Sequence, residues 1–447
     1  MPHPHANTGE APMPLRDVLR HAVSVRRVAI AGLWLAGSAL WAVALVRHFF
    51  VHWPHRITSP GMGDLFERLK ETGTLLHGGD PYVIGKSISD NVPPSVSLLH
   101  VPLYLSGHMG AALVASWLSC ASMSLIMAVG LTQVTSVRRG HALIGATVLT
   151  PPVLGLCFYP TVAALVAGQD QLWFMALVVL DLFVVSRWRR GVLVGAVAGF
   201  SLWPAIFAVL VILDAGWRSI RRLAAGFIAT VVLGALLSLS ESWRYWTYLV
   251  PSGQVTSRGV NSSAPWPGAA FGLPENYSLN GLISRAPLGG SLATKGVYYA
   301  LFVLIIACGL AIAWGLWRLD LPMSATVVLA IAAVESTPFA WVHHWVWVLL
   351  LLPFAALETW GRHRVLSCVL WLSIVPFERQ LSARIGHRFS PTVDGAPVLH
   401  SWFNVMFLNR YQLAGMVVLL GAAVLVLRAA PWRTRSLEPA SSEPLSS

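Results

Sequence analysis

The sequence predicts an all-α protein, a polytopic integral-membrane bundle of about twelve transmembrane helices with amphipathic helices and polar loops on the extracytoplasmic face. Three observations carry this. Charged residues make up 11% of the 447 residues and hydrophobic ones 55%, whereas a soluble domain carries about 25% charged residues. Mean hydropathy is +0.64. The basic residues fall in short arginine clusters between long apolar runs, and only Lys70, Lys86 and Lys295 among the 31 are lysines. So few charges cannot coat a soluble surface of this size. A soluble enzyme, a disordered chain and a nucleic-acid-binding module are therefore excluded, despite a net charge of +12.

The elements follow in order. Residues 1–27 are too polar and too long for a cleaved signal peptide and read as a cytoplasmic tail. The first span runs from Val28 to Phe50 behind Arg26 and Arg27. Later apolar runs fall near 110–133, 141–158, 171–186, 222–240, 296–317, 322–341, 345–358, 364–376 and 403–428. Two shorter runs, 191–202 and 204–216, meet at Trp203-Pro204 as short spans or a broken hairpin. The arginine clusters Arg138-Arg139, Arg187 to Arg190, Arg218 to Arg222 and Arg362 to Arg364 then all lie on the cytoplasmic side, provided that 93–106 does not cross fully. That proline-flanked segment reads as a re-entrant or half-depth helix, which is allowed where it is buried in protein. The domain is 28–428, followed by a low-complexity, disordered cytoplasmic tail over 429–447.

This topology places both termini in the cytoplasm of a multi-pass plasma-membrane protein. It sends the hydrophilic stretches 51–92, 241–295 and 377–402 outside, together with the turns at Gly168-Gln169-Asp170 and His343-His344. Cys120, Cys157, Cys308 and Cys368 lie inside apolar runs and read as small core hydrophobes rather than disulfide or metal ligands.

Polar chemistry therefore concentrates outside. In the first loop, Leu65, Phe66, Leu69, Leu75 and Leu76 recur at near-helical spacing with Glu67, Arg68, Lys70 and Glu71 opposite, which predicts an amphipathic surface helix. Asp64 opens it. With Glu67 three residues on, it resembles a capping box; it is also placed to act as a general base at the membrane face. Gly168-Gln169-Asp170 is either a structural turn or part of an outer cavity. His343 and His344 point to different faces of a helix, and no second pair stands at ligand spacing. They read as an interfacial Trp/His belt or as substrate and phosphate recognition, and no metal is expected. Asn276, Asn280 and Arg285 close the second large loop. Arg285 is a candidate phosphate clamp, in competition with Arg258, Lys295, Arg379, Arg384 and Arg388.

The ordered set of Asp64, Gly79-Asp80-Pro81-Tyr82, Pro93-Pro94, Gly168-Gln169, Asn276-Tyr277-Ser278-Leu279-Asn280-Gly281 with Arg285, and Trp341-Val342-His343-His344 resembles the C-type glycosyltransferases. Within them it resembles glycosyltransferase family 87, the actinobacterial polyprenyl-phosphate-sugar-dependent mannosyl- and arabinosyltransferases. The resemblance implies an inverting transfer with Asp64 as base. His343 or His344 would assist donor-phosphate or acceptor recognition, and Gln169, Arg285, Asn276, Asn280 and Tyr82 are further candidates for substrate binding. It implies a lipid-linked sugar donor, most often mannose, a cell-envelope glycolipid or lipoglycan acceptor, an α-linkage of the α-1,2-mannosyl kind, and no cofactor. Membrane lipids surround the chain and nucleic acid is not a partner. Two departures stand out: Asn276-Tyr277-Ser278 where the family often has Asn-Gln-Ser, and Ser201 where it has a lysine before the broken hairpin. Decaprenyl-phosphate arabinose as donor, a non-catalytic lipid-carrier flippase or transporter, and a scaffold that has lost catalysis are the alternatives. A transporter predicts ionisable residues in mid-span.

Overall fold

A computed structural model describes residues 15–52, 62–82, 92–250, 276–285, 292–337, 339–378, 392–393, 396–397 and 409–429. The tails outside 15–429 and most of the loops 241–295 and 377–402 lie outside the described residues, as does the side chain of Arg285.

The chain is helical almost throughout its described residues. A long α1 (Leu15–His52) leads to α2 (Gly63–Leu76) and α3 (Pro94–Leu105). Then come α4 (Gly107–Val134), α5 (Arg139–Cys157), α6 (Tyr159–Ala167), α7 (Gln171–Phe183) and α8 (Val192–Phe200). A 3-10 turn over Trp203–Phe207 leads into α9 (Ala208–Ala215), α10 (Ser219–Leu237) and α11 (Leu239–Arg244), which ends in a π turn over Tyr245–Leu249. The last part holds α12 (Leu279–Arg285), α13 (Leu292–Arg318), α14 (Pro322–Ser336), a 3-10 turn over Val342–Trp345, α15 (Val346–Leu349), α16 (Leu352–Trp360), α17 (Arg364–Leu372) and α18 (Arg410–Ala429). Thr392–Val393 and Ala396–Pro397 form a two-residue antiparallel ladder.

Among the described residues, seven helical segments are long and apolar enough to cross a membrane, and they coincide with expected spans. The other expected runs fold as shorter pieces, so helix length among the described residues does not by itself give the expected count of about twelve crossings. Trp203–Ala215, Pro322–Ser336 and Arg364–Phe377 are short apolar helices. The run expected over 171–186 is half of a broken element, in which α6 and α7 meet at 115°. At about 1.5 Å per residue, 15 residues reach about 22 Å, short of a core of about 30 Å. α14 tolerates this because every residue from Met323 to Ser336 is buried in protein. Segment 93–106 forms α3, 12 residues with Pro94, Ser95, Val96, Ser97, His100 and Leu103 buried. That is about 18 Å of helix, too short to cross.

Small residues let helices approach. A Cβ on Gly195 would lie 2.1 Å from the Leu223 carbonyl oxygen, and one on Gly226 2.2 Å from that of Val192. α8 and α10 therefore cross backbone to backbone, the packing that substitutes for hydrophobic drive in lipid. The core is built from α4, α7, α14, α15 and α16, with Trp345 and Trp347 fully buried. Cys120 lies in it, but Cys157, Cys308 and Cys368 are exposed thiols on the bundle surface, which corrects their reading as core residues. Apolar positions on a lipid-facing helix are indistinguishable from core positions by composition alone.

Charged groups tie the ends of the helices that run away from α2. Asp214 accepts from Arg190, and Arg187 Nε donates to the Asp214 carbonyl at 2.6 Å. Arg222 Nε donates to the Arg190 carbonyl at 2.8 Å. Asp181 accepts from the Gly191 and Val194 amides, and Glu358 accepts from the Met323 and Ser324 amides.

Candidate active site

The site begins with a left-handed residue. Met62 has φ 68° and starts α2 with no side-chain cap. Asp64 therefore stands inside the first helical turn rather than ahead of it, which replaces the capping-box reading with a carboxylate that is exposed at the mouth of the site. The Met62 amide donates to the Val166 carbonyl, holding the start of α2 against the end of α6.

Gly168 makes that approach close. Its φ is +72°, and a Cβ there would lie 2.6 Å from Leu65 Cβ and 3.3 Å from Met62 Cβ. Glycine alone adopts this backbone freely while leaving room for a neighbouring helix. The next residue then meets α2: the Gln169 side-chain amide donates to Asp64 Oδ2. Gln169, Asp170 and Gln171 are all buried. Trp347 Nε1 donates to Gln171 Oε1 at 3.2 Å and Trp173 Nε1 to Ser119 Oγ at 3.0 Å, so the turn is anchored to the bundle core.

α6 also packs on the histidine turn. His343 is buried and His344 half-buried. The two rings stand together, with centroids 4.6 Å apart, because they sit in a 3-10 turn and not on opposite helix faces. The Trp341 amide donates to His344 Nδ1 at 2.9 Å. In its neutral form His344 therefore carries its proton on Nε2.

Asn276 supports this turn. Its Oδ1 accepts from the Ser278 amide at 3.2 Å, Ser278 Oγ at 2.8 Å and the Ala340 amide at 3.0 Å. The Tyr277 amide donates to the Ala340 carbonyl at 2.7 Å, and Trp345 Nε1 to the Tyr277 carbonyl at 3.1 Å. Asn276 is thus fully buried as an organiser of residues 340–345, where the sequence suggested a sugar ligand. Asn280 is buried in the first turn of α12, whose Gly281 amide donates to Ser278 Oγ at 3.2 Å.

Tyr82 belongs to a different cluster. Its hydroxyl donates to the Val92 carbonyl at 3.0 Å, its amide to Asp80 Oδ1 at 2.8 Å, and its ring stacks on Tyr245. Arg244 pairs with Asp80 and stands 3.9 Å from Glu241. Burial pushes the Tyr82 phenol up from its ordinary value, helped by the charges of Glu241, Glu71 and Asp80. The Gly79-Asp80-Pro81-Tyr82 turn is therefore a pin between the first loop and α11.

Two residues of the site were not singled out by sequence. His100 on α3 is buried and stands 6.1 Å ring to ring from Trp173, with Nδ1 on the Val96 carbonyl. Arg68, one turn after Asp64, belongs to the polar face that the sequence predicts for an amphipathic surface helix. It is largely buried instead, 3.2 Å from Glu71, with side chains 16% and 10% exposed. The signal was its i+4 spacing from Asp64, which puts both on one helix face. Ser201 follows Phe200, whose ring stacks on Phe174 one turn into α7. Among the described residues no cluster of three His, Cys, Asp or Glu is arranged to hold a metal ion.

A family model described as glycosyltransferase family 87 matches residues 93–342, more than half of the chain. The chain belongs to glycosyltransferase family 87. It is a glycosyltransferase, and the match includes Gln169, Asn276, Asn280 and Arg285 but begins after Asp64. The chain is also similar over most of its length to a curated relative from Mycobacterium tuberculosis, the polyprenol-phosphate-mannose-dependent alpha-(1-2)-phosphatidylinositol mannoside mannosyltransferase. Identity is 26% over 446 residues, 93% of this chain and 96% of the relative. The protein of that name from Mycolicibacterium smegmatis is 27% identical over 57% of this chain and 59% of its own length. A pentamannoside mannosyltransferase of the same organism is 26% identical over 44% of this chain and 45% of its own. No solved structure matches the chain.

Proposed function

We propose that this multi-pass membrane glycosyltransferase moves mannose from a polyprenyl-phosphate donor to a phosphatidylinositol mannoside or related envelope glycolipid. The product would be an α-(1-2) linkage formed on the extracytoplasmic face. The names of the mycobacterial relatives support the donor and acceptor class. The positions of the arginine clusters support the side: Arg187 to Arg190 and Arg218 to Arg222 meet at the end of the bundle remote from Asp64, where the positive-inside rule expects the cytoplasm.

The observation that carries the mechanism is the exposed Asp64 carboxylate, oriented by the buried Gln169 beside the histidine turn. Asp64 takes the proton of the acceptor hydroxyl as that oxygen attacks the anomeric carbon. The bond from that carbon to the phosphate oxygen breaks with its electron pair, on the opposite face of the sugar. A β-linked donor then yields an α-glycoside. His344 Nε2 donates to phosphate or sugar oxygens at the same mouth.

The test is transfer by the purified protein of labelled mannose from polyprenyl-phosphate mannose to phosphatidylinositol mannoside, with polyprenyl-phosphate arabinose as a second donor. Asp64→Asn is expected to lower kcat by about 100-fold or more while the unfolding midpoint stays. Transfer by this variant at the wild-type rate overturns the base assignment, and preference for arabinose overturns the donor.

A further inference from the structure

At the end of the bundle remote from Asp64, two turns lie side by side. Residues 184–191 join α7 to α8, and residues 216–218 join α9 to α10. Arg187 Nε donates to the Asp214 carbonyl at 2.6 Å, Arg190 pairs with the Asp214 carboxylate, and Arg222 Nε donates to the Arg190 carbonyl at 2.8 Å. Gly191, at φ +112°, brings the first turn down on the start of α10: a Cβ there would lie 3.3 Å from the Ser219 carbonyl oxygen. The charge of this surface is unbalanced. Asp181 is taken up by the Gly191 and Val194 amides, and Asp214 by Arg190. Arg189, Arg218 and Arg221 are exposed and have no ion pair among the described residues. Between the turns, Arg190 Nε is buried without a hydrogen-bond partner among the described residues.

Apolar groups adjoin these cations and decide what kind of anion fits. Trp188 is 66% exposed and Trp217 77% exposed, one on each turn. The Arg189 guanidinium lies 4.0 Å from the centre of the Trp188 ring. Tryptophan favours the boundary between hydrocarbon and water, so the two turns stand at the level of the lipid headgroups. From there α10 runs into the hydrocarbon with an exposed apolar face that includes Ile220, Ile228 and Val232, and Val192 extends that surface onto α8. A soluble anion answers only the arginines. A molecule that answers both features carries a phosphate at the boundary and hydrocarbon chains below it.

We propose that the two turns form a binding site for an anionic phospholipid, whose phosphate bridges Arg189 and Arg221 and whose chains lie along α10. The site is separate from the mannosyl site and does not depend on the mannosyltransfer reading. Each arginine near an anionic headgroup favours it about 5-fold, and the planar guanidinium fork suits phosphate oxygens. The lipid spans the α7–α8 and α9–α10 turns, so it holds α8 and α10 together at the point where Gly195 and Gly226 let their backbones meet. A ligand that binds only the folded chain raises the unfolding midpoint.

Native mass spectrometry of the detergent-purified full-length protein, titrated with dioleoyl phosphatidylglycerol and with dioleoyl phosphatidylcholine, tests this apart from turnover. Wild type is expected to hold phosphatidylglycerol about tenfold or more tightly than phosphatidylcholine. The double variant Arg189→Gln with Arg221→Gln is expected to lose about 10- to 30-fold in affinity for phosphatidylglycerol with no change for phosphatidylcholine. If the double variant does not fold, the single variants decide, each with a loss of about 5-fold. Arg138→Gln with Arg139→Gln removes the same charge from the turn between α4 and α5 and is expected to leave the affinity near wild type. In thermal unfolding, phosphatidylglycerol raises the midpoint of wild type and not that of the Arg189/Arg221 variant, and inorganic phosphate at equal concentration raises neither. No preference for phosphatidylglycerol in wild type, or wild-type affinity in the folded Arg189/Arg221 variants, overturns the site. An equal loss in the Arg138/Arg139 variant overturns it in favour of net charge, and an equal midpoint shift with inorganic phosphate overturns the lipid in favour of a soluble anion.

Discussion

The side-chain amide of Gln169 donates a hydrogen bond to Asp64 Oδ2, joining two residues 105 positions apart in the chain. The donor is neutral, so this hydrogen bond orients the carboxylate and itself adds no counter-charge to it. Removing it loosens the base by a rotation about Cα–Cβ, and misplacement of a reacting group is costly. Gln169→Leu is expected to lower kcat by about 10- to 100-fold with the donor KM near wild type. Gln169→Glu sets a second carboxylate against Asp64, and like charges raise each other's pKa. A base with a raised pKa is charged only at higher pH, so the acidic limb of the pH–rate profile moves up in Gln169→Glu and stays in Gln169→Leu. Steady-state kinetics across pH 5 to 8 on both variants check this.

Gly168 and Gly78 share a backbone conformation but not surroundings. Their φ values are +72° and +74°, yet a Cβ on Gly168 would meet Leu65 at 2.6 Å and one on Gly78 would meet nothing within 4 Å. Alanine at either costs about 1–2 kcal/mol for the left-handed backbone. Overpacking adds about 1–3 kcal/mol at Gly168 alone, and it is relieved only by parting α2 from the α6–α7 turn. Gly168→Ala is therefore expected to unfold at a lower temperature than Gly78→Ala and to lose transfer, while Gly78→Ala retains it. Thermal unfolding and mannose transfer on the two variants separate strain from clash.

The sequence marks the mouth of the site better than its floor. Asp64, Gln169 and the histidine pair are polar residues at the ends of apolar runs, and scarcity of charge makes such residues conspicuous. Arg68 and Glu71 were hidden by the same logic, since an amphipathic pattern says which face is polar but not whether that face meets water or a buried cavity. Asn276 and Tyr82 have the residue types of sugar ligands, yet both serve backbone groups, because partners such as the Ala340 amide and the Val92 carbonyl exist only in the folded chain. The short helices α8, α9 and α14 blur the span count for a related reason. Hydropathy cannot tell a helix buried in protein from one facing lipid, and only the former can stop short of the full thickness.

Asp181 and Glu358 look like the mid-bundle carboxylates of a transporter, but each caps another helix. Asp181 accepts from the Gly191 amide at 3.0 Å and the Val194 amide at 2.8 Å, at the start of α8. Glu358 accepts from the Met323 and Ser324 amides at 2.9 and 2.8 Å, at the start of α14. Orphan amides at a helix start need such acceptors, and leaving them buried and unpaired costs about 1–3 kcal/mol each. Asp181→Ala and Glu358→Ala are expected to lower the unfolding midpoint clearly. Asp181→Asn and Glu358→Gln, which keep one acceptor oxygen, lower it less. The folded fraction of each variant is expected to transfer mannose as wild type does, and a transport role for these carboxylates would instead show as lost activity in the stable Asn and Gln variants.

His344 joins structure and chemistry through its two ring nitrogens, and they can be separated by mutation. Nδ1 accepts from the Trp341 amide at 2.9 Å and so shapes the 3-10 turn that also holds His343. Nε2 carries the proton of the neutral ring and, in the proposed mechanism, is the donor offered to substrate. An asparagine side chain places its amide group near the position of Nδ1 and lacks the reach of Nε2, whereas glutamine places its amide near Nε2 and leaves the Trp341 amide without its acceptor. His344→Asn is expected to hold the unfolding midpoint near wild type and to lose about tenfold or more in kcat, the loss expected when one transition-state hydrogen bond is removed. His344→Gln is expected to unfold earlier, by the cost of one unsatisfied amide of about 1–3 kcal/mol, and to retain more activity per folded molecule than His344→Asn. Unfolding midpoints and single-turnover rates on the two variants check the division, and equal losses of stability and rate in both would assign His344 to the turn alone.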